Sequence, residues 1–236
     1  MQNNIQILST KKISDSLIGG AEKNSIFIDE LSLITTEEIV SSGIKKRIGE
    51  LSEQKISVIF TSSKAVNAVR KFASKEILWE IFCIEPATRN LVEKYFKNIQ
   101  IAGSAKNAEE LSDKIIRDSS VKNIIFFCGN QRRNTLPDKL RNQKINVEEI
   151  VVYKTTEMPQ LVSKTYDGIL FFSPSAVRSF FSLNKIKEAT ALFAIGDTTA
   201  EEIKLFTKAK IIIAPIPDPK KLIDEVLTYF STIKTL

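Results

Sequence analysis

Short apolar runs rich in β-branched and aromatic residues alternate along this chain with segments whose apolar positions recur every three or four residues. The runs Ile5–Ser9, Ser25–Asp29, Ser57–Phe60, Leu78–Ile84, Ile99–Ala102, Asn123–Phe127, Gly168–Phe172, Leu192–Ile195 and Lys210–Ala214 predict strands. Helices are predicted between them: near Ser14–Glu22, from Ser63, from Thr88, and over Ala108–Arg117, Thr135–Gln143, Ser175–Leu183, Thr198–Phe206 and Pro219–Phe230. Thr35-Thr36-Glu37-Glu38, with hydroxyls ahead of acids, predicts the start of another helix running to about Leu51. Strands that are apolar throughout and separated by helices imply parallel sheets covered on both faces.

One stretch does not fit a simple succession. Val147–Thr156 (VEEIVVYKTT) is strand-like, lacks Gly and Pro, and separates two segments that resemble each other. At a constant offset of 111 residues, Phe60, Ser62, Ala65 and Val66 fall on Phe171, Ser173, Ala176 and Val177. Phe82, Ile84 and Thr88 fall on Phe193, Ile195 and Thr199, and Leu111 and Asp113 fall on Leu222 and Asp224. Such recurrence implies two domains of like topology. The second copy is short of strands unless the first strand pair completes it. The expected architecture is therefore α/β, with two similar flavodoxin-like parallel-sheet domains. Domain one is discontinuous (1–32 plus 157–236), domain two is inserted (37–148), and 33–36 and 149–156 are linker strands. Tyr153 then lies between the halves, where two-domain proteins tend to keep ligands.

Composition removes whole classes of chemistry. The 236 residues include two cysteines, Cys83 and Cys128, and no histidine. An imidazole-based metal site and Ser-His-Asp or Cys-His nucleophiles are thereby excluded. No G-x-G-x-x-G or P-loop motif occurs, so neither a metal nor a nucleotide cofactor is expected. No apolar run is long enough for a membrane span and the first residues do not read as a signal peptide, which makes a cytoplasmic protein the expectation. The net charge of +6 favours an anionic partner, but the basic residues are scattered, unlike the dense stripe of a nucleic-acid binder. A monomer is expected, because the motifs are consumed between the two halves.

The strand–helix junctions carry the candidate chemistry. Thr61-Ser62-Ser63 and Ser173-Pro174-Ser175 are hydroxyl-rich, and so are Ala87-Thr88 and Gly196-Asp197-Thr198-Thr199. Any one of these residues is ordinarily a helix cap. As a set at the carboxyl ends of parallel strands they form candidate sites for carboxylate or phosphate groups.

The ordered segments FTSSKAV, CGNQRRNTLPDKL, VVYKTT, LFFSPSAV and FAIGDTTAEEI resemble the uroporphyrinogen-III synthase family along nearly the whole chain. The resemblance implies two α/β domains joined by two strands, with the active site in the cleft. It implies cyclisation of hydroxymethylbilane, a polycarboxylate linear tetrapyrrole, to uroporphyrinogen III. Water is lost and the terminal ring inverts through a spiro intermediate, without a cofactor. Carried over on the V-Y-x-T motif, Tyr153 would act as general acid toward the leaving hydroxyl. Thr10 and Lys11 would bind substrate in place of a family Thr-Arg, alongside Ser62, Thr88, Ser173 and Thr199. Three positions depart from the family pattern: Glu85 beside a presumed anion site, Cys128 where Arg is frequent, and Phe172 in place of a hydroxyl. A different class shares the same architecture: a non-catalytic cleft protein that closes on an anionic small molecule.

Overall fold

Buried β-branched and aromatic residues build two separate sheets, each sandwiched between helices. The structure, a computed structural model, describes residues 4–39, 41–74, 76–97, 99–118 and 120–233. The chain divides into two units, Met1–Thr35 with Thr156–Leu236, and Thr36–Thr155, and passes from one to the other twice.

Unit 1 contains the strands β1 (Ile5–Ser9), β2 (Ile26–Glu30), β9 (Gly168–Phe171), β10 (Ala191–Ala194) and β11 (Ile211–Ile213). They pair in parallel in the order β2-β1-β9-β10-β11. Counted along the chain this is 2-1-3-4-5, the flavodoxin-like order, with its switch point between β1 and β9. Strand pleating sends alternate residues to opposite faces. Ile7, Leu170 and Phe193 pack beneath helices α1 (Asp15–Glu22) and α9 (Pro219–Ile233). Leu8, Phe171 and Leu192 pack beneath α7 (Pro174–Phe181) and α8 (Asp197–Lys204).

Unit 2 holds β3 (Ile34–Glu38), β4 (Ser57–Phe60), β5 (Glu80–Ile84), β6 (Gln100–Ala105), β7 (Asn123–Gly129) and β8 (Asn146–Glu157), in the order β3-β8-β7-β4-β5-β6. The strands from β4 to β8 pair in parallel, with the switch point between β4 and β7. Val58, Phe60 and Phe127 face α2 (Ser42–Ser52), α3 (Ser63–Val69) and α4 (Ala87–Tyr95). Ile59, Phe126 and Cys128 face α5 (Ala108–Arg117) and α6 (Thr135–Asn142). Residues offset by 111 occupy corresponding places: Ser62 caps α3 as Ser173 caps α7, and Leu111 and Leu222 are each fourth in their helix.

One predicted element is wrong. Thr35–Glu38 are not the first turn of a helix but lie in β3, alongside β8. The β-branched run Ile34-Thr35-Thr36 favours extended backbone, and the helix starts later, where the Ser41 hydroxyl accepts from the Ile44 N–H at 3.3 Å. Residues 149–153, read above as linker, pair with Phe126–Gly129 of β7 and so extend the sheet of unit 2.

Candidate functional site

In open parallel sheets, ligands bind beyond the carboxyl ends of the strands at the switch point. In unit 2 that point lies between the ends of β4 and β7, and Tyr153 of β8 is drawn onto it. The β7–β8 register shifts between Cys128 and Gly129, so that Cys128 faces Val151 but Gly129 faces Tyr153. The bulge re-aims Tyr153. Its ring covers Gly129 so closely that a Cβ built there would sit 2.4 Å from Cζ and 2.8 Å from the phenol oxygen. Glycine is required at 129 for that approach, not for an unusual backbone angle.

Ser62 completes the arrangement. Its Oγ accepts from the Lys64 N–H at 3.1 Å as the cap of α3, and its hydroxyl hydrogen-bonds the Tyr153 phenol. Burial pushes the phenol above its ordinary value of 10.0, and the hydrogen bond from Ser62 opposes that rise without cancelling it. The phenol is therefore neutral at physiological pH. Either hydroxyl can donate in the Ser62–Tyr153 pair; where Ser62 donates, the phenol's own proton is left for a ligand. Beside it the Lys64 ammonium lies 5.9 Å from the ring centroid and donates to Thr36 Oγ1 at 2.7 Å. A neutral donor and a cation thus stand side by side on one strand end. Thr61 and Ser63 flank Ser62, each half-buried. Thr88 is buried in the first turn of α4.

In unit 1 the β1–β9 switch point brings Lys11 and Ser173 together with Phe172. The Lys11 ammonium lies 5.5 Å from the Phe172 centroid, and Ser173 Oγ caps α7 by accepting from the Ala176 N–H at 3.3 Å. Three other residues expected at the site are buried. Thr10 is 1% exposed, and both its N–H and its hydroxyl donate to the Leu170 carbonyl, at 3.1 and 2.8 Å. Ser175 is buried against Arg178, and Thr199 is buried in the first turn of α8. Gly196 is the cap residue of α8, and Thr198 is exposed next to Asp197, whose carboxylate already complements the start of that helix.

The departures from the family pattern also find their places. The Glu85 carboxylate accepts from Ser104 Oγ at 2.8 Å and lies 3.6 Å from Arg89, so its charge is met locally. Cys128 points into the core, where burial pushes its thiol up to about 12, and Cys83 is likewise raised to about 11. Neither is a thiolate nucleophile at neutral pH. Among the described residues no group of three or more His, Cys, Asp or Glu side chains gathers to hold a metal, and no helix is long and apolar enough to cross a membrane.

Sequence reasoning missed Gly129, Asn130 and Lys64. A glycine directly ending an apolar strand is the one signal that marked Gly129; Asn130 carries no such signal, and the place of Lys64 appears only once α3 and β8 are placed.

Comparison with known proteins points to one family. The family model for uroporphyrinogen-III synthase HemD matches residues 15–224. The uroporphyrinogen-III synthase of Saccharomyces cerevisiae is 25% identical over 207 residues, covering 73% of this chain and 75% of the yeast protein. A mutant uroporphyrinogen III synthase from the extremely thermophilic bacterium Thermus thermophilus has a similar fold, with a TM-score of 0.72 at 10% identity over 98% of this chain and 100% of that one. The uroporphyrinogen-III synthetase of Helicobacter pylori gives a TM-score of 0.62 at 17% identity over 95% and 99% of the two chains.

Proposed function

The chain belongs to the uroporphyrinogen-III synthase family and is an enzyme of that type, and we propose that Tyr153, seated on the Ser62 cap of α3, serves its reaction as the hydrogen-bond donor to the departing hydroxyl. The reaction closes hydroxymethylbilane to uroporphyrinogen III. The hydroxyl leaves and the pyrrole N–H gives up its proton, a net loss of water, and a neutral electrophilic azafulvene results. The substituted carbon of the terminal ring attacks it, and the spiro product fragments and recloses with that ring inverted. The protein's task is to hold reacting atoms in order and to assist loss of the hydroxyl. A phenol kept neutral by burial donates without itself having to ionise.

The observation that supports this assignment is the close approach of the Tyr153 ring to Gly129, with Ser62 beside its phenol, at a strand end of the kind where ligands bind. The substrate's acetate and propionate arms match the basic and N–H-rich surroundings. Lys64, Thr61, Ser62, Ser63 and Thr88 would receive arms in unit 2; Lys11, Ser173, Gly196 and Thr198 would do so in unit 1. Buried Thr10, Ser175 and Thr199 would contribute by shaping those strand ends. The enzyme acts, on this reading, as a cytoplasmic monomer, which equilibrium sedimentation tests.

The decisive experiment supplies freshly generated hydroxymethylbilane and separates the type I and type III isomers by chromatography. Type III formed in proportion to enzyme is expected, with Tyr153→Phe lowering kcat while KM changes little. Type I alone, at the spontaneous rate, would show that the chain does not catalyse the closure.

A further inference from the structure

We infer that Asn130 is a positioning residue for the reaction, acting through Tyr153 and resting on the assignment of Tyr153 made above. Strand β7 ends at Gly129, yet β8 runs on to Glu157. A strand that outlasts its neighbour ordinarily loses its ladder partner on that side. Here Asn130 takes the neighbour's place. Its backbone N–H donates to the Tyr153 carbonyl at 3.2 Å. Its side-chain amide then reaches forward to the backbone of Thr155: Oδ1 accepts from the Thr155 N–H at 2.7 Å, and Nδ2 donates to the Thr155 carbonyl at 3.2 Å. One residue thus brackets Tyr153, holding its own carbonyl and the backbone two residues beyond.

The chemistry of the clamp selects asparagine. A side chain at 130 must both accept from the N–H and donate to the C=O of one residue, as a carboxamide on a single methylene does. Aspartate retains the acceptor and loses the donor; alanine loses both. Gln131 adds one further bond, Nε2 to the same Thr155 carbonyl at 3.2 Å. Thr155 is itself buried, so its N–H and carbonyl have poor access to water when the clamp is absent. The bulge at Gly129 sets which way Tyr153 points, and the Asn130 clamp prevents the strand from rolling back out of that register. Loosening it lets the phenol leave Ser62, and a displacement of about 1 Å at a catalytic group is sufficient to cost on the order of a hundredfold in rate.

A double-mutant cycle on the full chain tests this, with kcat, KM and the type III to type I ratio read for the wild type, Asn130→Ala, Tyr153→Phe and the double variant. Circular dichroism reports folding. Asn130→Ala is expected to lower kcat about tenfold or more with KM within about twofold, and to raise the share of type I. In the Tyr153→Phe background it is expected to add little, because its effect passes through the phenol. Should Asn130→Ala not fold, Asn130→Asp, which keeps the acceptor for the Thr155 N–H, takes its place in the cycle. Wild-type kcat in the Asn130 variant, or two losses that multiply, overturns the positioning role alone. Undiminished activity of Tyr153→Phe instead strikes the assignment of Tyr153, and the positioning role falls with it.

Discussion

Replacing Gly129 by alanine adds one methyl group, and the structure states what that methyl would meet. Its carbon would lie 2.4 Å from Tyr153 Cζ, 2.5 Å from Cε2 and 2.8 Å from the phenol oxygen. Carbon atoms in contact prefer roughly 3.5–4.0 Å, so the end of the ring must retreat by about 1 Å. It cannot do so freely, because Tyr153 packs against the core cluster that includes Phe60 and Phe127. Overpacking of this kind costs roughly 1–3 kcal/mol of stability. The greater consequence is at the phenol, which leaves its hydrogen bond with Ser62. A shift of about 1 Å predicts a kcat for type III lower by on the order of a hundredfold. Isomer-resolved assay with hydroxymethylbilane, run well below the unfolding temperature measured by circular dichroism, separates the two effects. A Gly129→Ala enzyme that is folded and turns over at the wild-type rate would refute the claim that the Tyr153 position matters.

Other consequences are open to direct measurement. Since burial raises the Tyr153 phenol above 10.0, kcat should show no alkaline decline between pH 7 and 9 attributable to its ionisation; a fall in that range absent from Tyr153→Phe would contradict the neutral donor. Cys83 and Cys128, with thiols raised to about 11 and about 12, should resist iodoacetamide at pH 8 in the folded enzyme and react on denaturation, as mass spectrometry can read. Arg132, and to a lesser degree Arg141, hold the Glu149 carboxyl below its ordinary range. A lowered carboxyl stabilises the fold above its unfolded pKa and ceases to do so as pH falls through the folded value. Glu149→Gln should therefore destabilise by roughly 1–3 kcal/mol at pH 7, and the deficit should vanish in acid; equal loss at pH 7 and pH 3 in denaturant titrations would contradict the ion-pair account.

How much of this was legible beforehand depended on whether the cause was local. Strands such as Ser57–Phe60 and helices such as Ala108–Arg117 declare themselves through composition and periodicity, and their places agree with the structure. The hydroxyl junctions were equally legible as caps, and Ser62 and Ser173 are caps. Thr35–Glu38 misled because Thr-Thr-Glu-Glu satisfies the pattern of a capped helix start, while pairing with β8, over 100 residues away, decides the matter. Thr10 and Thr199 read as hydroxyls at strand–helix junctions, and only the structure shows that both are buried. Asn130 left no trace at all. Its meaning lies in a one-residue register shift between two strands, and no pattern within either strand encodes that shift.

The two sheets also differ in when they can be finished. Unit 2 is one continuous stretch, Thr36–Thr155, whose strands are all available once that stretch has left the ribosome. Unit 1 begins first and closes last: Ile7 of β1 must wait for its partner Gly168, some 160 residues further on. Until then β1 has an unpaired inner edge, and the loop to be closed is long unless the inserted unit has already folded and drawn its ends together. Synthesis from the amino terminus thus makes the inserted unit the natural first folder, and its completion shortens the search for the other. By the same logic a fragment spanning the inserted unit, with β3 and β8 whole, is expected to fold by itself, whereas unit 1 alone would need its two pieces spliced together.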